Sequence, residues 1–161
     1  MALYNTAEYK LIYVFSIPDE AHKGLVKVGE ATIHTMLSLD DLKPNCQALR
    51  DAADKGRIKD YTFTAGIKVD LLWAELAIRT KKDILNGMQI TTIQGFRDHD
   101  VHNVLKNSGI KTSYPNGIKN REWFECSSET AKNALKAVKE CRAFLSENDK
   151  KIEVTAPEIK L

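Results

Sequence analysis

Tyr13 and Lys27 are the first pair of residues with chemistry to offer each other. Each sits in a short run of β-branched and aromatic residues, YKLIYVFSI over 9–17 and LVKVG over 25–29. Alternation along a strand puts Tyr13 and Phe15 on one face and Ile12 and Val14 on the other. Val26 and Val28 likewise oppose Lys27. If the valines face a core, Tyr13 and Lys27 share the open face. A free phenol ionises near pH ~10, so it acts as a base at neutral pH only beside a cation, and Lys27 is placed to be that cation. Further groups lie downstream. Arg50, Asp54 and Arg57 fall on one face of a predicted helix, which by itself reads as a solvated ion-pair row. Asp98 stands where another predicted helix begins, the position of an N-cap, four residues before His102. His102 alone reads as a satisfied, partly buried histidine. Glu122 opens the segment EWFEC. Gly29 ends the second strand, where lack of a side chain relieves crowding.

These positions need a scaffold. The two runs predict a hairpin closed by a loop over 18–24, which Pro18, Asp19 and Gly24 punctuate. Residues 30–44 read as a loop. A helix is expected over 45–61 with Asn45 as N-cap, weakened by Gly56. The run IKVDLLWAELAI over 67–78 reads as a buried strand, and 80–95 as a polar connection with room for a further short strand. A helix over 98–106 should stop at Gly109. A turn-rich loop over 112–120, an extended segment over 122–126 and a last helix over 128–145 follow. Ser127 caps that helix, and Ala134, Leu135, Val138, Cys141 and Leu145 form its apolar stripe. The fold class expected is α+β, a small, mainly antiparallel sheet of three strands or slightly more, flanked by helices. One domain over 1–148 is expected, followed by a charged, linker-like tail over 149–161 that leads toward a further domain.

The motifs together resemble those of the GIY-YIG nucleases. LIY (11–13) and KVG (27–29) resemble the two motifs that give the superfamily its name, with Leu11 in place of glycine and Lys27 in place of tyrosine, as in a known branch. RIKDY (57–61) resembles the helix carrying the family arginine, DHDVHNVL (98–105) the branch's acidic-x-x-x-His helix, and REWFEC (121–126) its terminal EWF segment. The set spans 9–140 and looks most like the version fused to helicases in bacterial defence systems. The resemblance implies a DNA endonuclease hydrolysing phosphodiester bonds with one Mg²⁺ (or Mn²⁺) ion. Tyr13 would activate the nucleophile with Lys27 beside it, and Arg57 would hold a nonbridging phosphate oxygen, with Arg50 the alternative. Asp98, or else Glu122, would bind the metal. His102 would orient the scissile phosphate or relay a proton, and Gly29 would line the substrate site. The implied partners are DNA and a fused or associated helicase. Two other readings compete: a DNA-binding or targeting module of weak activity, and an interaction domain that keeps only the fold.

Composition narrows little further. Of 161 residues, 43% are hydrophobic and 29% charged, ordinary proportions for a globular domain. Lys and Arg number 24 against 22 Asp and Glu, net +2, so any nucleic-acid site must be local. The three cysteines have no paired spacing, which argues against zinc and points to a reducing compartment, with a cytoplasmic location expected. No stretch reads as a membrane span, and residues 1–10 lack a signal-peptide pattern.

Overall fold

A computed structural model describes residues 7–60, 62, 66–117 and 122–149, with the side chains of Arg57 and Asn116 excepted. It is α+β. Strands β1 (Ala7–Ser16), β2 (Lys27–Thr35) and β3 (Asp70–Leu76) form an antiparallel sheet in the order β2-β1-β3. Two ribbons accompany it: β4 (Ile78–Leu85) with β5 (Met88–Gly95), and β6 (Thr112–Ser113) with β7 (Trp123–Phe124). The main helices are α1 (Gln47–Ala53), α2 (Asp98–Asn107) and α3 (Ser128–Lys139). Among the described residues no helix is long and apolar enough to cross a membrane.

Both faces of the sheet are covered, which explains the composition of β1. Leu11, Ile12, Tyr13, Val14 and Phe15 are buried without a break. Ile12, Val14, Val26 and Val28 pack against Val101 and Leu105 of α2 and Ala131 and Leu135 of α3. Leu11, Tyr13 and Phe15 pack on the opposite side against Leu49 and Ala53 of α1, Ile58 and Trp123. Each buried side chain of this size contributes about 1.5–3 kcal/mol, so β1 alone supplies on the order of 10 kcal/mol before entropy is charged against it. A strand with two buried faces needs a continuous apolar run rather than alternation.

Several expected boundaries move. β2 does not stop at Gly29 but runs to Thr35, so Glu30 is a strand residue, not the start of a loop. The helix expected over 45–61 ends at Ala53 and passes into a π turn at Asp54–Ile58, with Gly56 non-helical at φ −81 and ψ −133. Asn45 is not the cap. It has φ 59 and turns its Oδ1 to accept from Arg50 Nη1 at 2.9 Å and from the Ala74 backbone N–H at 3.1 Å, tying α1 to β3. The polar connection over 80–95 is a full hairpin around Asn86 and Gly87. Asp98 opens α2 but is not its cap; Arg97 is, with Asp100 Oδ2 accepting the Arg97 N–H at 2.9 Å. The last helix begins as expected, Ser127 accepting from Thr130 N–H, but ends at Lys139 rather than Leu145. Cys141 takes a left-handed φ of 58, and the Arg142 and Cys141 N–H groups return to Ala137 and Val138. This is a Schellman stop without the glycine that usually marks one. Asp149, read as the first tail residue, is held by Ser146 and Arg142, while 150–161 lie outside the described residues.

Candidate functional site

The β1–β2 register pairs Tyr13 with Gly29 and Phe15 with Lys27. Residues opposite one another across a ladder share a face, so Tyr13, Phe15, Gly29 and Lys27 lie on one side, as the alternation predicts. That side is not open. α1, the π turn and Trp123 cover it, and Tyr13 is 2% exposed. Its ring lies directly across Gly29: a Cβ there would stand 2.5 Å from the Tyr13 hydroxyl oxygen and 2.6 Å from Cζ. Gly29 is thus the floor on which the phenol rests. Lys27 Nζ donates to the Glu122 carbonyl oxygen at 2.9 Å. Both Arg50 terminal nitrogens are engaged, on Asn45 Oδ1 and on the Leu71 carbonyl, each at 2.9 Å, which makes Arg50 a clamp between α1 and β3. The side chain of Arg57 lies outside the described part of the structure.

On the other face, Glu30 is brought against the start of α2. Arg97 Nε donates to both Glu30 oxygens, at 2.9 and 2.8 Å, and Lys10 Nζ stands 3.9 Å from Oε2. The Asp98 carboxyl is hydrogen-bonded to Glu30. Burial and that shared hydrogen bond push Asp98 above the ordinary aspartate value, against the pull of His102. Burial also raises Glu30, but hydrogen bonds from Asp98 and Arg97 outweigh it and hold Glu30 below the usual range. Of the two, Asp98 is the carboxyl that holds a proton more readily. One turn along α2, His102 Nε2 is 2.7 Å from the Val28 carbonyl oxygen. A carbonyl only accepts, so Nε2 carries the hydrogen. Burial depresses the imidazole pKa with help from Lys27, while the Val28 bond and the charges of Asp98 and Glu122 oppose it. The Glu122 carboxylate is held by Lys106 Nζ at 3.1 Å and accepts from the Tyr114 hydroxyl at 3.2 Å.

These groups converge on the outer edge of β2. Val26 exchanges both backbone hydrogen bonds with Phe124, so its N–H and C=O point away from β1. Val28, two residues on, points the same way and gives its carbonyl to His102. Lys27, Glu122, His102, Asp98 and Glu30 follow this edge in turn, with Tyr13 behind it across the strand. Among the described residues no three His, Cys, Asp or Glu side chains group closely enough to hold a metal by themselves. Glu30 and Asp98 are nevertheless a fitting pair of hard oxygen ligands for Mg²⁺, which keeps several waters and takes only one or two carboxylates. Sequence reasoning missed Glu30 and Arg97. The signal for Glu30 was present: carrying the Val26–Val28 alternation one step past Gly29 puts residue 30 on the helix-covered face. Comparison with family models, with curated proteins and with solved structures returned no match.

Proposed function

We propose that this chain is a metal-dependent nuclease domain that hydrolyses DNA phosphodiester bonds, in keeping with its resemblance to the GIY-YIG superfamily. The observation that carries the reading is the Glu30 carboxylate, held by Arg97 and hydrogen-bonded to Asp98, beside His102 at the edge of β2. Glu30 and Asp98 would hold a divalent cation, Mg²⁺ or Mn²⁺, which when bound would neutralise charge on a phosphate oxygen and on the leaving oxygen. Arg97, on both Glu30 oxygens, would then have to yield one of them. His102 donates through Nε2, which leaves Nδ1 of a neutral ring as an acceptor for the attacking water's proton. Tyr13 is the other acceptor, the one the resemblance favours, with Lys27 on the same face. One of these two groups takes the water's proton as its oxygen attacks phosphorus, the bond to the leaving oxygen breaks, and that oxygen takes a proton from solvent.

The burial of Tyr13 favours a second reading, a module that binds DNA without cleaving it. Nicking of supercoiled plasmid in Mg²⁺ and in EDTA separates the two. Under the nuclease reading, wild type nicks only with metal, Asp98→Asn is inactive, and either Tyr13→Phe or a His102→Ala change brings activity near background. Binding without turnover in any metal would leave the second reading standing.

A further inference from the structure

Beyond Ile78, which packs at its base against the Tyr13-side cluster, the β4–β5 ribbon belongs to neither buried cluster. Residues 80–93 are all exposed, in two strands joined by Asn86 and Gly87 at φ 52 and 78, a two-residue turn of the kind that suits strand twist. Six residues per strand beyond Arg79 carry it roughly 20 Å into solvent. Its tip is apolar: Ile84 is 81% exposed, Leu85 59% and Met88 71%. Exposed apolar side chains grouped this way mark a contact surface. Register and alternation put Lys81, Leu85 and Met88 on one face and Lys82 and Ile84 on the other. Neither lysine has an ion-pair partner among the described residues, and Asp83 is the only acidic residue in the ribbon.

We propose that this ribbon enters the major groove of duplex DNA tip first, with Lys81 and Lys82 on opposite phosphate walls. The inference rests on the DNA reading above and adds to it the element that grips the duplex. A flat apolar partner would meet one face, yet both faces here carry a lysine behind an apolar tip, the pattern a two-walled groove requires. Lys82 and Lys81 stand four and five residues, roughly 13–17 Å, behind the turn at Asn86, so their long side chains reach forward to the rim. The major groove is about 8.5 Å deep and about 12 Å wide, enough for a two-stranded ribbon. Seated so, Ile84, Leu85 and Met88 meet base edges and thymine methyls while the lysines reach the rim. The ribbon's return strand ends at Gly95, close in the chain to Arg97 and Asp98, so it ties a gripped duplex to the β2 edge. With a net charge of only +2 on the whole chain, a local grip of this kind is also what DNA binding would need.

Fluorescence anisotropy of a labelled duplex of about two helical turns, titrated across a range of salt, tests the ribbon. Lys81→Gln/Lys82→Gln should lower the slope of log affinity against log salt by about 1.8, two phosphate contacts at about 0.9 each. Ile84→Ser/Leu85→Ser/Met88→Ser should keep the slope and weaken binding by about tenfold, the size of a lost set of base contacts. All five residues are exposed, so circular dichroism should report native folding in both variants. If wild type binds with a salt slope and both variants match it, the ribbon proposal is overturned while the DNA reading survives. A wild type that binds no duplex at low salt overturns both. A dimer in sedimentation that the tip variant abolishes, with DNA affinity unchanged, assigns the tip to a second copy and overturns the proposal.

Discussion

Replacing Gly29 by alanine tests the placement of the Tyr13 ring. The new Cβ would stand 2.5, 2.6 and 2.8 Å from three atoms of that side chain, whereas ordinary contacts begin near 3.4 Å. The ring must retreat by about 1 Å, and it cannot do so freely, because Phe15 lies 5.6 Å away by ring centroids in a closed core. Overpacking of this kind costs about 1–3 kcal/mol. For a chain of 161 residues that is a fall of about 2–4 °C in melting temperature per kcal/mol. Gly29 has no positive φ, so its backbone suits alanine and only the ring resists. The effect should therefore change sign once the ring is gone. Tyr13→Ala alone should cost about 3–5 kcal/mol. In that background Gly29→Ala should stabilise by about 0.5–1 kcal/mol, the ordinary advantage of alanine over glycine inside a strand. Tyr13→Phe should relieve little, since Cζ and Cε1 remain. Urea unfolding of the four-member cycle measures the coupling. Equal cost of Gly29→Ala in both backgrounds would refute the ring-on-glycine packing.

Two further outcomes follow from the same structure. Asp98 binds its proton more tightly folded than unfolded, so its contribution to stability falls as pH rises from the ordinary aspartate value through the raised one; Glu30, held low, contributes stability that appears as pH rises from its lowered value to the ordinary glutamate value. Asp98→Asn keeps a donor for Glu30 and cannot ionise, so melting temperature against pH should lose the falling limb, and any rise on adding Mg²⁺ should vanish; an unchanged profile would count against the raised Asp98 and its hydrogen bond to Glu30. Asn45→Ala removes the acceptor for both Arg50 and the Ala74 N–H and leaves alanine at φ 59, which should cost about 2–4 kcal/mol in urea unfolding. Asn45→Gly should recover only the strain, and a full recovery would show that the two hydrogen bonds contribute nothing.

The sheet was legible because β1 and β3 announce themselves by composition and because Tyr13 and Lys27 alternate against valines. What failed to read was long-range. Nothing local in KVGEATIHT separates a strand ending at Gly29 from one running to Thr35, since Glu30, Thr32 and His34 are as much at home in a loop; pairing with residues 7–12 of β1 extends it. The exposed ribbon lacked an apolar face because it has no core to face, and the Asn86–Gly87 pair was the signal for it. The last helix was read too long because Leu145 is indeed buried, but it returns to the core after a turn at Cys141 rather than on a fifth helical turn. For the site, residue types near the motifs were legible, while the pairing of Glu30 with Asp98 depends on how α2 docks on β2.

The thickness of one strand separates the phenol of Tyr13 from the carboxyls of Glu30 and Asp98. In the middle of a sheet that would forbid their acting on one substrate. β2, however, is an edge strand, and beyond the Val26–Phe124 bridge the His102 ring meets its outer side at the Val28 carbonyl. Lys27 leaves one face and His102 arrives over the other, yet the field of Lys27 reaches His102 and its amine rests on the Glu122 carbonyl. A phosphate set against this edge would meet groups from both faces without crossing the sheet. The geometry then demands something of the side chain that the resemblance makes the base. To act as that base Tyr13 would have to reach the edge past Gly29, against which its ring lies. In the proposed function, then, Gly29 would serve twice: it lets the ring lie down, and a larger residue there would stand between the hydroxyl and the edge of the strand.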